Sequence, residues 1–441
     1  MRTIAFIIFY SIVLSVYLLV NYYIFIRGWQ ALPAASRVRN IYLALFLFLS
    51  LAYVAGRILE NYWLSPPATF LLWTGSFWLG AMVYFVLFLV VIDIVRLVNL
   101  AVPVIPVTWQ VNAAKTRLVL FWGVTAAVFI IIMAAHVNTW FTRVNEIDIS
   151  LSGNRTALAG QAAPAEYEAA TGGEAPPATG EAAMPGSGSP VPENEAATDP
   201  GDPAPGERSG RMANVTIALI SDIHLGSLTP KHRISRMVER INSLNPDIIL
   251  LAGDILDEDV GPVIHRDLGR AIENLSAPLG VYGITGNHEY IGGVDEAAEY
   301  LTSHGITLIR DSVIKINNSF YIAGREDITI NRFSGRTRKS LDKLLEGLDD
   351  SLPVILMDHQ PFNLEKAAAA GADLFLAGHT HHGQLWPFNL ITRAIYTISR
   401  GKGEVDGMKV YVSNGIGTWG PPMRLGSRPE IVLIRASLYD S

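Results

Sequence analysis

Asp373-Leu374-Phe375-Leu376-Ala377-Gly378-His379-Thr380-His381-His382-Gly383 decides how the rest of this chain is read. The apolar run 373–377 reads as a buried strand, so the three histidines sit on the loop at its C-terminal end. Ligand sites in α/β folds collect outside the carboxyl ends of strands. Imidazoles two residues apart on a tight loop face different ways, and so can serve two metal ions rather than crowd one. Taken alone, the segment has a plainer alternative as a polar turn.

The same arrangement recurs upstream. Ile217–Ser221 runs into Asp222-Ile223-His224, and Asp247–Ala252 ends in Gly253-Asp254. Val281–Thr285 ends in Gly286-Asn287-His288-Glu289, and Val354–Met357 delivers Asp358-His359. Helices are predicted between them near 231–244, 264–275, 295–304 and 338–347, with several short strands before 323. One of the helices, near 231–244, carries Ile234, Met237, Val238 and Ile241 on a single face. A lone Asp after a strand is usually a turn or cap residue. Five strands in succession that each deliver Asp, Asn or His are hard to explain as turns. The chain has no cysteine, so disulfides and thiolate metal sites are both excluded, and a metal must be held by His, Asp, Glu or Asn. One Asp and one His from Asp222-x-His224, a bridging Asp254 and a further His make a mixed nitrogen/oxygen site. Asn287, two more histidines and the shared Asp254 make a second. Such donors suit Mn, Fe or Zn better than Ca or Mg. Two ions about 3.5–4 Å apart can clamp a phosphoryl group, with the hydroxide between them as the nucleophile.

In order and in spacing, Asp222-x-His224, Gly253-Asp254, Gly286-Asn287-His288-Glu289, His359 and Gly378-His379-Thr380-His381 resemble the five signature blocks of the calcineurin-like metallophosphoesterases. The resemblance covers roughly 213–436. Tyr411-Val412-Ser413-Asn414-Gly415, Arg424 and Pro429-Glu430 resemble more closely the branch of transmembrane proteins with a metallophosphoesterase domain. The resemblance implies a two-layer β-sandwich flanked by helices; the strand-and-helix pattern alone is equally compatible with a doubly wound sheet. It also implies Asp222, His224, Asp254 and His381 on one ion, and Asp254, Asn287, His359 and His379 on the other. His288 resembles the family's general acid, with Glu289 as a candidate for orienting it. His382 and Arg424 are candidate substrate contacts.

The first 141 residues read differently. Apolar segments near 4–26, 41–59, 68–95 and 118–137 are each long enough to cross a hydrocarbon core. Seven of the nine tryptophans lie here, with Trp29, Trp63, Trp109 and Trp140 at segment ends, as in an interfacial aromatic belt. The first segment has no small-residue cleavage site and reads as an anchor. Arg27, Arg37, Arg39, Arg96, Lys115 and Arg117 flank the first and third loops, against Arg2, Arg57 and Arg143 on the other side. That bias puts the odd loops in the cytoplasm and the catalytic half outside. Asp93 and Arg96, near the end of the third segment, read as snorkelling charges.

Between the halves, 153–211 is rich in Ala, Gly, Pro and Glu and carries the whole chain's net charge of −6. It has too little apolar surface to offset chain entropy, and is expected to be disordered. Because Glu146–Leu151 alternates as a strand does, this stretch is either an insertion between two strands of one domain, the first at 144–151, or a simple tether. The acidic balance, with no basic stretch bearing aromatics, gives no case for a nucleic-acid partner.

The expected whole is a multi-pass α-helical membrane domain followed by an α/β metallophosphoesterase domain at the cell membrane. Its expected partners are the lipid bilayer and a phosphate-containing, lipid-linked substrate. Two alternatives remain at this level. One is a pyrophosphate hydrolase of the UDP-2,3-diacylglucosamine type; the other is a membrane sensor or scaffold with a non-catalytic metal-binding domain.

Overall fold

A computed structural model describes residues 2–34, 37–153 and 211–439. The membrane half comprises α1 (Arg2–Ala31), α2 (Arg37–Tyr62), α3 (Pro66–Ala101), the short α4 (Val107–Val111) and α5 (Ala113–Asn138). Four of these helices are long and apolar enough to cross a membrane. Phe46, Trp78 and Met82 pack with Ile24 at the centre of the bundle. Asp93 does not snorkel alone: it accepts from Tyr23 Oη at 2.6 Å and pairs with Arg27, both on α1.

Residues 139–142 lead from α5 straight into β1 (Arg143–Ser152). The other strands are β2 (Arg211–Ile220), β3 (Ile248–Ala252), β4 (Val281–Ile284), β5 (Thr307–Leu308), β6 (Ser312–Ile316), β7 (Phe320–Gly324), β8 (Val354–Met357), β9 (Leu374–Ala377), β10 (Gly401–Val405), β11 (Met408–Val412) and β12 (Glu430–Tyr439). They form two six-stranded sheets, ordered β1-β12-β2-β3-β4-β5 and β10-β11-β9-β8-β7-β6. β12 sits between β1, to which it runs parallel, and β2, to which it is antiparallel. The stretch 154–210, expected to be disordered, lies outside the described residues; the strands on either side of it belong to one sheet.

The sheets pack face to face over Ile217, Leu219, Ile248, Leu250, Ile322, Ile355, Leu374 and Ile434. Helices cover the outer faces. On the first sheet lie α6 (Lys231–Asn242), α7 (Gly261–His265) and α8 (Gly269–Ile272), followed after α9 (Asn287–Gly292) by α10 (Val294–Ser303); α11 (Ile330–Phe333), α12 (Leu341–Leu345), α13 (Leu364–Ala369) and α14 (Phe388–Ile395) follow along the chain. Ile234, Met237, Val238 and Ile241, at i, i+3, i+4 and i+7, are the buried face of α6. With both faces covered, β3, β7, β8 and β9 are buried throughout, which is why they read as unbroken apolar runs. The helix expected over 264–275 is instead two short ones, because Asp267 between them adopts φ +51°.

Candidate metal centre

The centre forms where the carboxyl ends of β2, β3, β8 and β9 meet. Asp222, His224, Asp254, His379, His381 and His382 all adopt positive φ, between 44° and 68°. Such backbone costs of order 1–3 kcal/mol per residue and persists where the surroundings over-determine it, as they do at functional sites. The loops are cross-tied: Asp222 N–H donates to Gly253 O at 3.0 Å, and His224 N–H to Asp254 O at 3.1 Å. Asp222 in turn accepts from His379 N–H at 2.9 Å, and Asp254 Oδ1 from His288 N–H at 2.9 Å. The chains approach so closely that a Cβ on Gly378 would strike Asp222 Oδ2, and one on Gly286 would strike Asp254 Oδ1.

Two groups of three potential ligands result: Asp222, His224 and His381; and Asp254, His359 and His379. In the first, His224 Nε2 and His381 Nε2 face each other at 3.0 Å, with Asp222 Oδ1 3.6 Å from His381 Nε2. In the second, His359 Nε2 lies 3.1 Å from Asp254 Oδ2. Asp254 also lies 3.9 Å from His224 Nε2, which joins the two groups. Asn287 opens α9 beside Asp254, and its buried Oδ1 has no hydrogen-bond partner.

These donors fit divalent cations. His359 Nδ1 lies 2.7 Å from Ala252 O, so Nδ1 donates to that carbonyl and Nε2 is the ring atom turned towards the Asp254 carboxylate. Buried lone pairs facing one another are satisfied by a cation between them. Burial opposes charge on both partners, yet His359, His288 and His224 hold Asp254 well below the usual carboxylate range, and Asp254 lifts His359 well above the usual imidazole range. His379 is pulled down to about 3, first by burial and then by the charge on His359. Burial and Arg424 push His381 well below its ordinary value.

A residue that sequence reasoning missed completes the geometry. Asp257 Oδ1 lies 3.5 Å from both His224 Nδ1 and His288 Nδ1, forming a third group with them. It stands three residues after Asp254 on the same loop, and that spacing was the available signal. Two other readings are corrected. Glu289 does not orient His288: its carboxylate accepts from Gly286 N–H at 2.7 Å and Leu256 N–H at 2.8 Å, and burial with Asp254 nearby raises it to about 7. Arg424 is fully buried and has no face free for substrate. It donates to Gly417 O, Asn414 O and Ser427 Oγ, and Nη2 meets His381 Nδ1 at 2.9 Å. His382 is buried too, with Nδ1 3.2 Å from Ser399 Oγ, outside the three groups. Burial, then Arg400 and Arg393, lower it to about 4.

A family model described as calcineurin-like phosphoesterase matches residues 215–383. An uncharacterized metallophosphoesterase of Aquifex aeolicus is 34% identical over 231 residues, covering 52% of this chain and 87% of that protein. The chain belongs to the calcineurin-like metallophosphoesterases. A transmembrane protein with metallophosphoesterase domain from Bos taurus is 34% identical over 235 residues, and one from Danio rerio is 34% identical over 230. This chain spans 52% of each of those two relatives. The family's matched region holds all three groups of potential ligands, together with Asn287, Glu289 and His382. Arg424 arrives from the loop before β12, and with it the metallophosphoesterase centre is tied to the membrane half.

Proposed function

We propose that the protein is a membrane-anchored, two-metal phosphoesterase that hydrolyses a phosphate ester or pyrophosphate bond of a lipid-linked substrate, with its catalytic domain outside the cytoplasm. The observation that carries this is the pair of three-residue groups joined through Asp254. Asp222, His224, Asp254 and His381 would hold one divalent ion; Asp254, Asn287, His359 and His379 would hold the other. Mn, Fe or Zn suit this mixture of imidazole and carboxylate. Such ions supply a nucleophilic water at neutral pH and neutralise phosphoryl oxygens. His288 lies at the edge of the centre, its ring 4.7 Å from that of His224, with burial lowering its basicity, and it would protonate the departing oxygen. Asp257 would keep the His224 and His288 rings in place.

The lipid-linked reading rests on where the centre opens. A cavity of about 680 Å³ lies between the α2–α3 turn and the loops of the centre. Tyr53, Glu60 and Trp63 line it from the membrane half; Asp257, Glu258 and Trp419 line it from the catalytic half. Asp257 belongs both to this cavity and to the group around His224. A substrate held in the bilayer would thus meet, at the wall of this cavity, the Asp257 carboxylate that faces His288. The excess of Arg and Lys on the odd loops supports the outward orientation, which disfavours a cytoplasmic nucleotide-linked precursor.

The test uses the full chain in proteoliposomes loaded with Mn²⁺. Hydrolysis of bis(p-nitrophenyl) phosphate is expected from the native chain and not from Asp254→Ala. Equal rates in the two would end the enzyme reading and leave the metal-binding scaffold.

A further inference from the structure

We infer that α14, together with Trp386 before it, is an interfacial helix lying in the headgroup layer of the same bilayer that α1, α2, α3 and α5 are fitted to span. At 100° per residue, Phe388, Leu390, Ile391, Ala394 and Ile395 occupy one side of this helix, and Asn389, Thr392 and Arg393 the other. In a water-soluble domain the apolar side would be buried. Here no residue of α14 is buried: Trp386, Phe388, Leu390, Ile391 and Ile395 are 40–56% exposed. From Arg143 onward, among the described residues, only Ile264, Ile291, Phe333 and Trp419 are other large apolar side chains so exposed, and they are scattered. Concentration of such surface within ten residues marks an interaction site.

Its occupant follows from what adjoins it. Leu385, the residue before Trp386, is buried against Tyr84 of α3 and Val128, Ile132 and Ala135 of α5. Leu425 packs on the same cluster, and its carbonyl accepts the Trp386 N–H. The helix therefore leaves directly from the side of the α3–α5 pair, where Phe129, Ile130 and Val137 of α5 are themselves open to lipid. Eight residues reach about 12 Å, far short of a span, so α14 lies on the bilayer and does not cross it. An apolar face with an Arg on the opposite one is the pattern of a helix settled at the headgroup boundary, and exposed Arg393 and Arg400 are placed to meet lipid phosphates. His379–His382 end four residues before Trp386, so this helix sets the height of the histidine loop above the bilayer.

The absence of cysteine makes the test direct, since one introduced thiol carries the only label. Nitroxide labels at Ile391→Cys and Phe388→Cys in the full chain, in phosphatidylcholine/phosphatidylglycerol vesicles, are compared with labels at Asn389→Cys, at Phe129→Cys on α5 and at Phe333→Cys. The ratio of oxygen to nickel-chelate collision rates at 388 and 391 is expected to approach that at 129 and to exceed that at 333 and 389 by roughly threefold or more, as an apolar face immersed at the boundary requires. Ratios at 388 and 391 equal to that at 333 would overturn the proposal. So would dipolar broadening between labels at 391 on different chains, which would assign the face to a second copy.

Discussion

The two halves of the metal centre are built on different foundations. The group Asp254, His359 and His379 stands on the sheets: Asp254 follows β3, His359 follows β8, and the His359 ring is pinned to Ala252 O in the middle of that framework. The group Asp222, His224 and His381 stands partly on the membrane half. His381 Nδ1 meets Arg424, whose backbone N–H donates to Ala135 O of α5 at 2.9 Å. Asn138, at the end of α5, donates to Arg424 O and Ser427 O at 3.0 Å each, and His136 Nδ1 lies 2.7 Å from Pro422 O. His224 leans on Asp257, next to Glu258, which pairs with Arg57 of α2. One half is therefore as rigid as the β-sandwich, and the other is as well placed as the junction with the membrane helices. A site of this kind can be tuned through one ion without dismantling the other.

In the proposed assignment Asp254 serves both ions, and its carboxylate lies 3.1 Å from His359 and 3.9 Å from His224, so its loss should erase the difference between the halves. Asp254→Asn is expected to release both ions and to lower hydrolysis by about a thousandfold or more, the equivalent of several kcal/mol of lost charge stabilisation. Bound Mn per chain, measured by elemental analysis alongside initial rates, checks this; retention of one tightly held ion would contradict the bridging role. Chelation of the native chain should likewise lower its melting temperature, because ligands that bind only the folded state stabilise it by mass action.

Arg424→Met should separate the halves. Arg424 can only donate, so it acts by fixing the place of the His381 loop and not by accepting the ring proton of a ligating imidazole. The expected result is a loss of about tenfold in affinity for one ion only, equivalent to about 1.4 kcal/mol, seen as a split in a Mn titration of the full chain in vesicles. Equal weakening of both ions would mean that Arg424 merely supports the fold. A fall in stability accompanies the change in either case, since the Gly417 and Asn414 carbonyls lose a buried donor, at about 1–3 kcal/mol for each group left unmade.

This asymmetry also explains what the sequence disclosed. Buried strands ending in Asp, Asn or His are local signals, and Asp222, His224, Asp254, His359, His379 and His381 could be proposed from them because each lies within four residues of the end of a strand. The membrane segments were readable because length and hydropathy suffice. The layered arrangement was not, since a strand covered on both faces gives the same apolar run in a sandwich as in a doubly wound sheet. Nor was the part played by Arg424. Its partners on α5 are nearly three hundred residues away, and nothing in an isolated Arg before a strand shows that it turns inward. Glu289 misled for a related reason: as the third residue of a short helix it closes back on the Gly286 amide, which is ordinary capping behaviour, although its neighbour His288 suggested a catalytic one.

A more graded perturbation is Asp257→Asn. The carboxylate faces both His224 and His288, so the variant should lose about tenfold in affinity at the ion proposed for the Asp222, His224 and His381 group, the membrane-side ion. It should also shift the rate profile of the step that His288 serves, with the other ion unchanged. Titration of Mn against rate, repeated across pH, separates the two effects.

The smallest expected effect is the most informative about the junction. Asn138→Ala leaves every ligand and Arg424 in place and removes only the amide that holds the 424 and 427 carbonyls to the end of α5. A hydrogen bond of this kind contributes about 0.5–1.5 kcal/mol, so a few-fold weakening of the membrane-side ion is expected, with no change at the ion between Asp254, His359 and His379. The native chain is expected to bind that ion more tightly in vesicles than in detergent micelles, and the variant to show less of that difference, because the contact joining α5 to the 424 and 427 carbonyls has been loosened. If Asn138→Ala binds both ions as the native chain does, and responds equally to the change from vesicle to micelle, then the hydrogen bonds at the end of α5 only locate the catalytic domain. The two halves of the centre would then differ in architecture but not in what controls them.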